Sequence, residues 1–297
     1  MRPILRPGLQ VLRRDLRTLQ LGLDWPGTGT LADTPAVRAV LGSVDGVRDL
    51  AAVAAAAVDL GAAVEAVQEA IDLLLDCGVL VDQAANCRGP YDESSWAALS
   101  LLACPGHSAS DLAAHAAAVP VLVVGAGQVA ETTARLIGEA RVPLTTRIEE
   151  AELVVYASQV EPPRELADDA LRHGVTHLWA RVRECVGLVG PFVVPGRTPC
   201  LRCVDASLHD RDPAWHTLLL SAEARPMTTP ACHPLLAETV AALAAQDAAA
   251  WAWGLRPQSW CRVLELPLGF GELGVQEFEP HPHCGCGWSA WRETIGA

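Results

Sequence analysis

Val121-Leu122-Val123-Val124-Gly125-Ala126-Gly127-Gln128-Val129-Ala130 sets four apolar residues directly before two closely spaced glycines, and a helical pattern over 131–140 follows at once. Strand, glycine turn and helix in that order open a Rossmann-like α/β unit. The chain downstream extends the pattern. The apolar run 153–156 reads as a later parallel strand, and 175–179 and 188–194 read as further strands. Residues 234–253 form a long alanine-rich helical pattern whose start is marked by Thr228, Thr229 and Pro230. A terminal strand pair, 263–266 and 275–278, flanks a turn at 269–271.

Gly125 and Gly127 would let the backbone approach a pyrophosphate at a helix N-terminus. Ala130, however, stands where a third glycine often sits. No acidic residue ends a clear second strand about twenty residues on, because the chain passes instead through Val142-Pro143-Leu144-Thr145-Thr146-Arg147. The expectation is a turn that packs helix on sheet, with a degenerate nucleotide loop and no ATP bound there.

Upstream, alternating segments at 9–13 and 18–23 are separated by Arg14–Arg17 and followed by turn formers over 25–29, which predicts a small antiparallel sheet. Helical spacing then takes over at 35–41, at 47–60 behind Asp45-Gly46, and at 62–77 before Gly78, and 79–81 reads as a returning strand. Strands, three helices and a closing strand are the layout of a small winged-helix domain over 1–81. Residues 82–118 are mixed in character and read as a connector to an α/β domain over 119–297.

With 297 residues, 51% of them apolar, the chain can bury a large core. Its formal charge of −13 repels phosphate backbones and anionic lipid heads, so nucleic acid is a poor default partner. All 22 basic residues are arginine, which excludes a Schiff-base lysine or a phosphate-gripping one. The N-terminus lacks a continuous apolar segment and no run of eighteen apolar residues follows, so a cytoplasmic protein without membrane contact is expected.

In such a reducing compartment the ten cysteines are thiols or metal ligands. Cys200-Leu201-Arg202-Cys203 is followed after 80 residues by Cys284-Gly285-Cys286. Four soft ligands in two tight pairs suit tetrahedral zinc with no open position, hence a structural ion. Buried or redox-active thiols are the alternative, and His281, His283 and Cys232 are substitute ligands if the C-x-C geometry is too tight. No G-x-S-x-G elbow or H-E-x-x-H helix is present, so no catalytic residue is assigned. Cys232, ahead of a helix and beside His233, reads as an ordinary cysteine, and the run from His209 to His216 as a loop of paired or solvated charges.

Residues 121–130, the stretch Gly196-Arg197-Thr198-Pro199-Cys200-Leu201-Arg202-Cys203 and the closing His281-Pro282-His283-Cys284-Gly285-Cys286 together resemble the ubiquitin-activating-enzyme-like (ThiF/MoeB) superfamily. More closely, the chain looks like the ThiF-like cyclodehydratase partner proteins that bind precursor leader peptides in azoline-forming peptide biosynthesis. The resemblance covers about residues 118–290, and the segment before Val81 is similar to a PqqD-like peptide recognition domain. It implies a zinc-containing scaffold that holds a leader peptide and presents it to a separate YcaO-type enzyme. It also implies a fold that commonly forms homodimers. Active members bind ATP and adenylate a C-terminal carboxylate; here Ala157-Ser158 follow the strand where an Asp-containing motif is expected, and lysine is absent.

The peptide is expected beside the strand around Thr30, Leu31, Ala32 and Asp33, with Val64 and Val67 on the facing helix. The arginines at 13, 14 and 17 are expected to attract an acidic leader. The competing readings are an ATP-dependent adenylyltransferase and a winged-helix regulator of DNA, the latter resting on the same three arginines.

Overall fold

The computed structural model describes residues 1–23, 29–103, 107–225, 229–269 and 271–286. The expected turn at 25–28, the helix-start marker Thr228 and Phe270 of the terminal turn lie outside them. The chain divides into two compact units, 1–114 and 115–297.

In the first unit β2 (Val11–Arg13), β3 (Thr18–Leu21) and β4 (Thr30–Ala32) form an antiparallel sheet in that order, while β1 (Pro3–Leu5) pairs antiparallel with β5 (Leu80–Asp82). Between β4 and β5 run α1 (Pro35–Ser43), α2 (Leu50–Asp59) and α3 (Val64–Asp76). Each start has a local cause. Thr34 Oγ1 accepts the Val37 N–H at 3.1 Å with Pro35 at the first helical position. The second helix begins one turn later than the sequence pattern suggests. Asp45 Oδ1 accepts the N–H groups of Val47 and Arg48 in a turn, and Asp49 then caps Ala52 at 2.8 Å. The core is filled by Leu19, Leu21, Leu31, Val40, Val53, Val67, Ile71 and Leu74. Residues 82–118 hold two helices, α4 (Glu93–Leu102) and α5 (Ala109–Ala117). Within the first unit the buried Arg6 ties α4 to the end of α3, donating to Gly78 O at 2.6 Å, Ser100 O at 2.7 Å and Ala103 O at 3.2 Å.

The second unit is built on β6 (Val121–Gly125), β7 (Leu153–Ser158), β8 (His177–Arg183), β9 (Val186–Val193), β10 (Arg262–Pro267) and β11 (Gly274–Glu277). They form one six-stranded sheet in the order β11-β10-β9-β8-β7-β6. β6, β7 and β8 run parallel, and the remaining pairings are antiparallel. The intervening helices are α6 (Gln128–Glu139), α7 (Glu165–Arg172), α8 (Leu201–Arg211), α9 (Trp215–Ala224) and α10 (Pro234–Ala252). Ala237, Ala241, Ala244 and Ala248 of α10 are fully buried, and small side chains are needed there. A Cβ on Gly187 of β9 would stand 2.2 Å from the Val240 side chain. That helix starts at Pro234, as its sequence pattern expects, with His233 Nδ1 accepting the Leu235 N–H as the cap. No helix among the described residues is long and apolar enough to cross a membrane.

Candidate functional site

Cys200 is the extended N-cap of α8 and Cys203 lies in its first turn, so the helix start points both thiols to one side. Cys284 and Cys286 arrive from the far end of the chain. Gly285 between them has φ +76°, a conformation costly for any other residue, and this lets the C-x-C fold back on itself. The sulfurs lie at 3.7 Å (Cys200–Cys203), 3.4 Å (Cys200–Cys284) and 3.2 Å (Cys203–Cys286), and all four fall within 4.8 Å of one another. All four are free thiols. Cys200 and Cys203 are fully buried against Trp179, Val193, Leu201 and Ala167.

Four thiolates at these distances repel unless a cation sits between them. The protons therefore distribute unevenly: hydrogen bonding from Cys200 and the other thiols drives Cys203 down, while the proton Cys200 shares with Cys203 drives Cys200 up. The His281 N–H points at Cys203 Sγ at 3.3 Å. The substitute ligands stay out of the cluster. The His281 ring is engaged by Asp210 at 2.9 Å, His283 packs on His281, and Cys232 packs against the main sheet core. The quartet can hold one metal ion.

The glycine turn lies in close contact with the neighbouring strand and the segment that follows it. Gly125 has φ +148°, and a Cβ there would stand 1.8 Å from Ala157 O of the neighbouring strand. At Gly127, φ +78°, it would stand 2.2 Å from Gln159 Oε1. The first turn of α6 faces a carboxylate as well, since Gln128 Nε2 and Thr132 Oγ1 both donate to Glu238 Oε1 at 3.1 Å. Where a second Rossmann strand would run, only Leu144 bridges to Val121, flanked by the bonds Val121 N–H to Pro143 O and Thr145 N–H to Val121 O. β6 is thus an edge strand of the named sheet.

Sequence reasoning missed a charge network that joins the last residues of β8 to the segment after β7. Glu161 accepts from Arg164 at 2.7 Å, Arg181 at 3.2 Å and Arg183 at 3.0 Å, while Asp205 takes Arg164 in a two-pronged bond at 2.6 and 2.9 Å and the Trp215 indole at 3.1 Å. Burial would raise the Glu161 carboxyl, but the guanidiniums of Arg181, Arg164 and Arg183 override it and hold it at about 2. The Arg181-x-Arg183 alternation was visible in sequence; that both meet one carboxylate was not. A cavity of about 500 Å³ lies alongside, lined by Val160, Glu161, Pro163 and, from α9, Leu219 and Ala222. In the histidine-rich run, His209 and His216 pack ring to ring at 4.4 Å, Asp210 goes to His281 and Arg211 to Gln276.

In the first unit β4 pairs only with β3 among the described residues. Leu31 stands opposite Leu19, and the flanking bonds Leu21 N–H to Gly29 O and Asp33 N–H to Arg17 O belong to the same alternation. Thr30 and Ala32 therefore turn their main-chain groups away from β3, with the Ala32 carbonyl taken by the Thr34 N–H. Beside this edge is a groove of about 410 Å³ lined by Ala32, Thr34, Gly61, Ala66, Ala70 and Leu73, among others.

The expected peptide contacts divide accordingly. Thr30, Ala32 and Val64 are exposed, whereas Leu31 and Val67 are 5% and 1% exposed and belong to the core. The helical rhythm that includes Val67 is the core stripe, so the residues of α3 open to the groove are Ala66, Glu69, Ala70 and Leu73 instead. Asp33 is also internal, its side chain 2% exposed and paired with Arg38 at 2.7 Å and Arg13 at 3.8 Å. Arg14 bonds Gln20, so the arginine patch expected to draw an acidic leader, or DNA, is partly spent inside the unit.

No protein-family model and no curated protein matches the chain. Solved structures do. The heterocyclase TruD superposes with a TM-score of 0.74 at 19% identity, covering 96% of this chain and 42% of its own. A heterocyclase in complex with substrate and cofactor gives 0.71 at 17%, covering 96% and 39%. MccB of E. coli gives 0.68 at 13% and covers 97% of both chains. The chain thus has the α/β fold of these proteins, over its whole length in the MccB comparison and over less than half the length of the heterocyclases.

Proposed function

We propose that this chain is a zinc-stabilised scaffold that binds a precursor peptide through its first unit and presents it to a separate YcaO-type cyclodehydratase. The observation that carries the reading is the free edge of β4 beside the alanine-lined groove of α3. An extended peptide can bond to the main-chain groups of Thr30 and Ala32 while its side chains enter the groove. A PqqD-like winged-helix assignment for residues 1–81 agrees with the element order there. Likeness in fold to two heterocyclases and to MccB is consistent with work on peptides.

For the metal, zinc with Zn–S bonds of ~2.3 Å places tetrahedral sulfurs ~3.8 Å apart. The three sulfur distances of 3.2 to 3.7 Å need only a small expansion to meet that value. With four sulfurs the coordination is closed, so zinc would fasten residues 284–286 to the start of α8 and take no part in chemistry.

The alternative, an ATP-dependent adenylyltransferase, is favoured by one observation, the full-length likeness in fold to MccB, which has also been solved with ATP. The absence of lysine and the Glu238 carboxylate held at the first turn of α6 weigh against it. Fluorescence anisotropy with labelled peptides encoded near the gene tests the main reading, comparing the chain with Ala66→Leu, which fills the groove without touching the sheet. Loss of binding in a folded Ala66→Leu protein supports the groove; equal binding removes it. Pyrophosphate exchange stimulated by any of the same peptides would favour the adenylyltransferase.

A further inference from the structure

We propose that the groove beside β4 selects a basic, apolar strand: a large aliphatic or aromatic residue opposite Leu31, and an arginine or lysine two positions away facing Glu69. This rests on the peptide-binding reading above and specifies the chemistry of its ligand.

The size preference follows from the walls. A strand added to the free edge of β4 sets one side chain level with Leu31 and directs it to the side that Leu31 faces, toward the helices. There small residues predominate, Gly61, Ala62, Ala63, Ala66 and Ala70 beside Val37 and Leu73, and they leave room for a bulky side chain. The cavity of about 410 Å³ lies within the roughly 300–1,000 Å³ typical of ligand sites. Leu73 at its margin is 41% exposed and would be covered by an apolar occupant.

The charge preference follows from α3. Its sequence VEAVQEAIDLLLD carries Glu65, Glu69, Asp72 and Asp76 and no basic residue. Glu69 lines the groove and makes no ion pair among the described residues. Glu69 is the one carboxylate among the described lining residues; the nearby Asp33 of the β4 side does not line the groove and is already paired with Arg38 and Arg13. A docked strand repeats its facing side chains every second residue, so the position adjacent to the bulky residue on the same face is two away. A cation there meets Glu69, the one charged side chain among the described residues that line the groove, and an acid there is repelled by it. The ligand sign is the reverse of the acidic leader that the arginines at 13, 14 and 17 suggest from sequence.

The test is a random dodecapeptide library panned on the full chain, on Glu69→Lys and on Ala66→Leu, with circular dichroism confirming that each variant is folded. Wild-type protein should enrich peptides with a large apolar residue and Arg or Lys two positions from it. In Glu69→Lys the apolar position should persist while the basic preference turns acidic, and the best wild-type peptide should bind about fivefold more weakly. Enrichment with no charge preference, or the same basic preference on Glu69→Lys, overturns this inference and leaves the groove standing. Identical enrichment on Ala66→Leu, or none on the wild-type chain, overturns the peptide-binding reading itself.

Discussion

The glycine turn at 125–127 and the cysteine corner at 200–203 and 284–286 are both short motifs attached to one sheet, and their surroundings treat them in opposite ways. At Gly125 and Gly127 the room a side chain would take is held by Ala157 O and the Gln159 amide, with Glu238 at the first turn of the helix. At the corner, four sulfurs lie within 4.8 Å of one another. A glycine marks a close approach whatever approaches it, strand or phosphate. A cysteine quartet has fewer explanations, because four soft donors within 4.8 Å repel as thiolates without a cation.

The largest expected effect breaks the corner. Cys203→Ser or Cys284→Ser should reduce metal from one ion per chain to near none, measured by plasma emission spectroscopy on protein purified without chelator. On the order of 10 kcal/mol of metal binding is linked to folding at such sites, so the second unit should also melt far earlier. A metal-free wild-type protein of unchanged stability would erase the contrast between the two motifs.

A middle-sized effect concerns the sheet beneath the corner, where His177 packs edge-on to Trp179. Its Nδ1 lies 2.8 Å from Val175 O, and burial pushes its pKa from 6.5 down to about 4. Between those values the unfolded chain binds a proton that the folded one refuses. The contribution is therefore complete above pH 6.5 and is lost as pH falls toward 4, at a cost of about 3 kcal/mol. Urea melts of wild type and His177→Phe across that window should show the smaller pH slope in the variant; parallel slopes would mean His177 titrates normally.

The smallest effect sharpens the other side. Calorimetry with Mg-ATP should show no affinity in the micromolar range, and Gln159→Ala, which clears the space over Gly127, should change stability by less than about 1 kcal/mol. Micromolar ATP binding to the wild-type chain would reopen the glycine turn as a nucleotide site and strengthen the adenylyltransferase reading.

Much of the fold was legible because its signals are local. The strand at 121–125, the helices behind Thr34 and Asp49 and the alanine-rich helix up to Ala252 follow from periodicity, caps and glycines within a few residues. Boundaries slipped where two local signals competed, as between Asp45 and Asp49. The face of a residue was harder to read. Val64, Val67, Ile71 and Leu74 share one rhythm, yet Val64 is 62% exposed and Val67 1%, since only packing decides where the stripe ends.

By itself the sequence determined the class of structure, the absence of lysine chemistry and the four cysteines, because composition and spacing constrain what any fold could do with them. Tertiary structure alone decided what each motif meets. Glu161 lies 20 residues from Arg181 and 22 from Arg183, and Gln159 closes a turn 32 positions earlier. The free edge of β4 exists because no other described strand pairs with it. Such facts depend on distances between parts remote along the chain, and those distances are set by the burial of the whole core rather than by any local pattern.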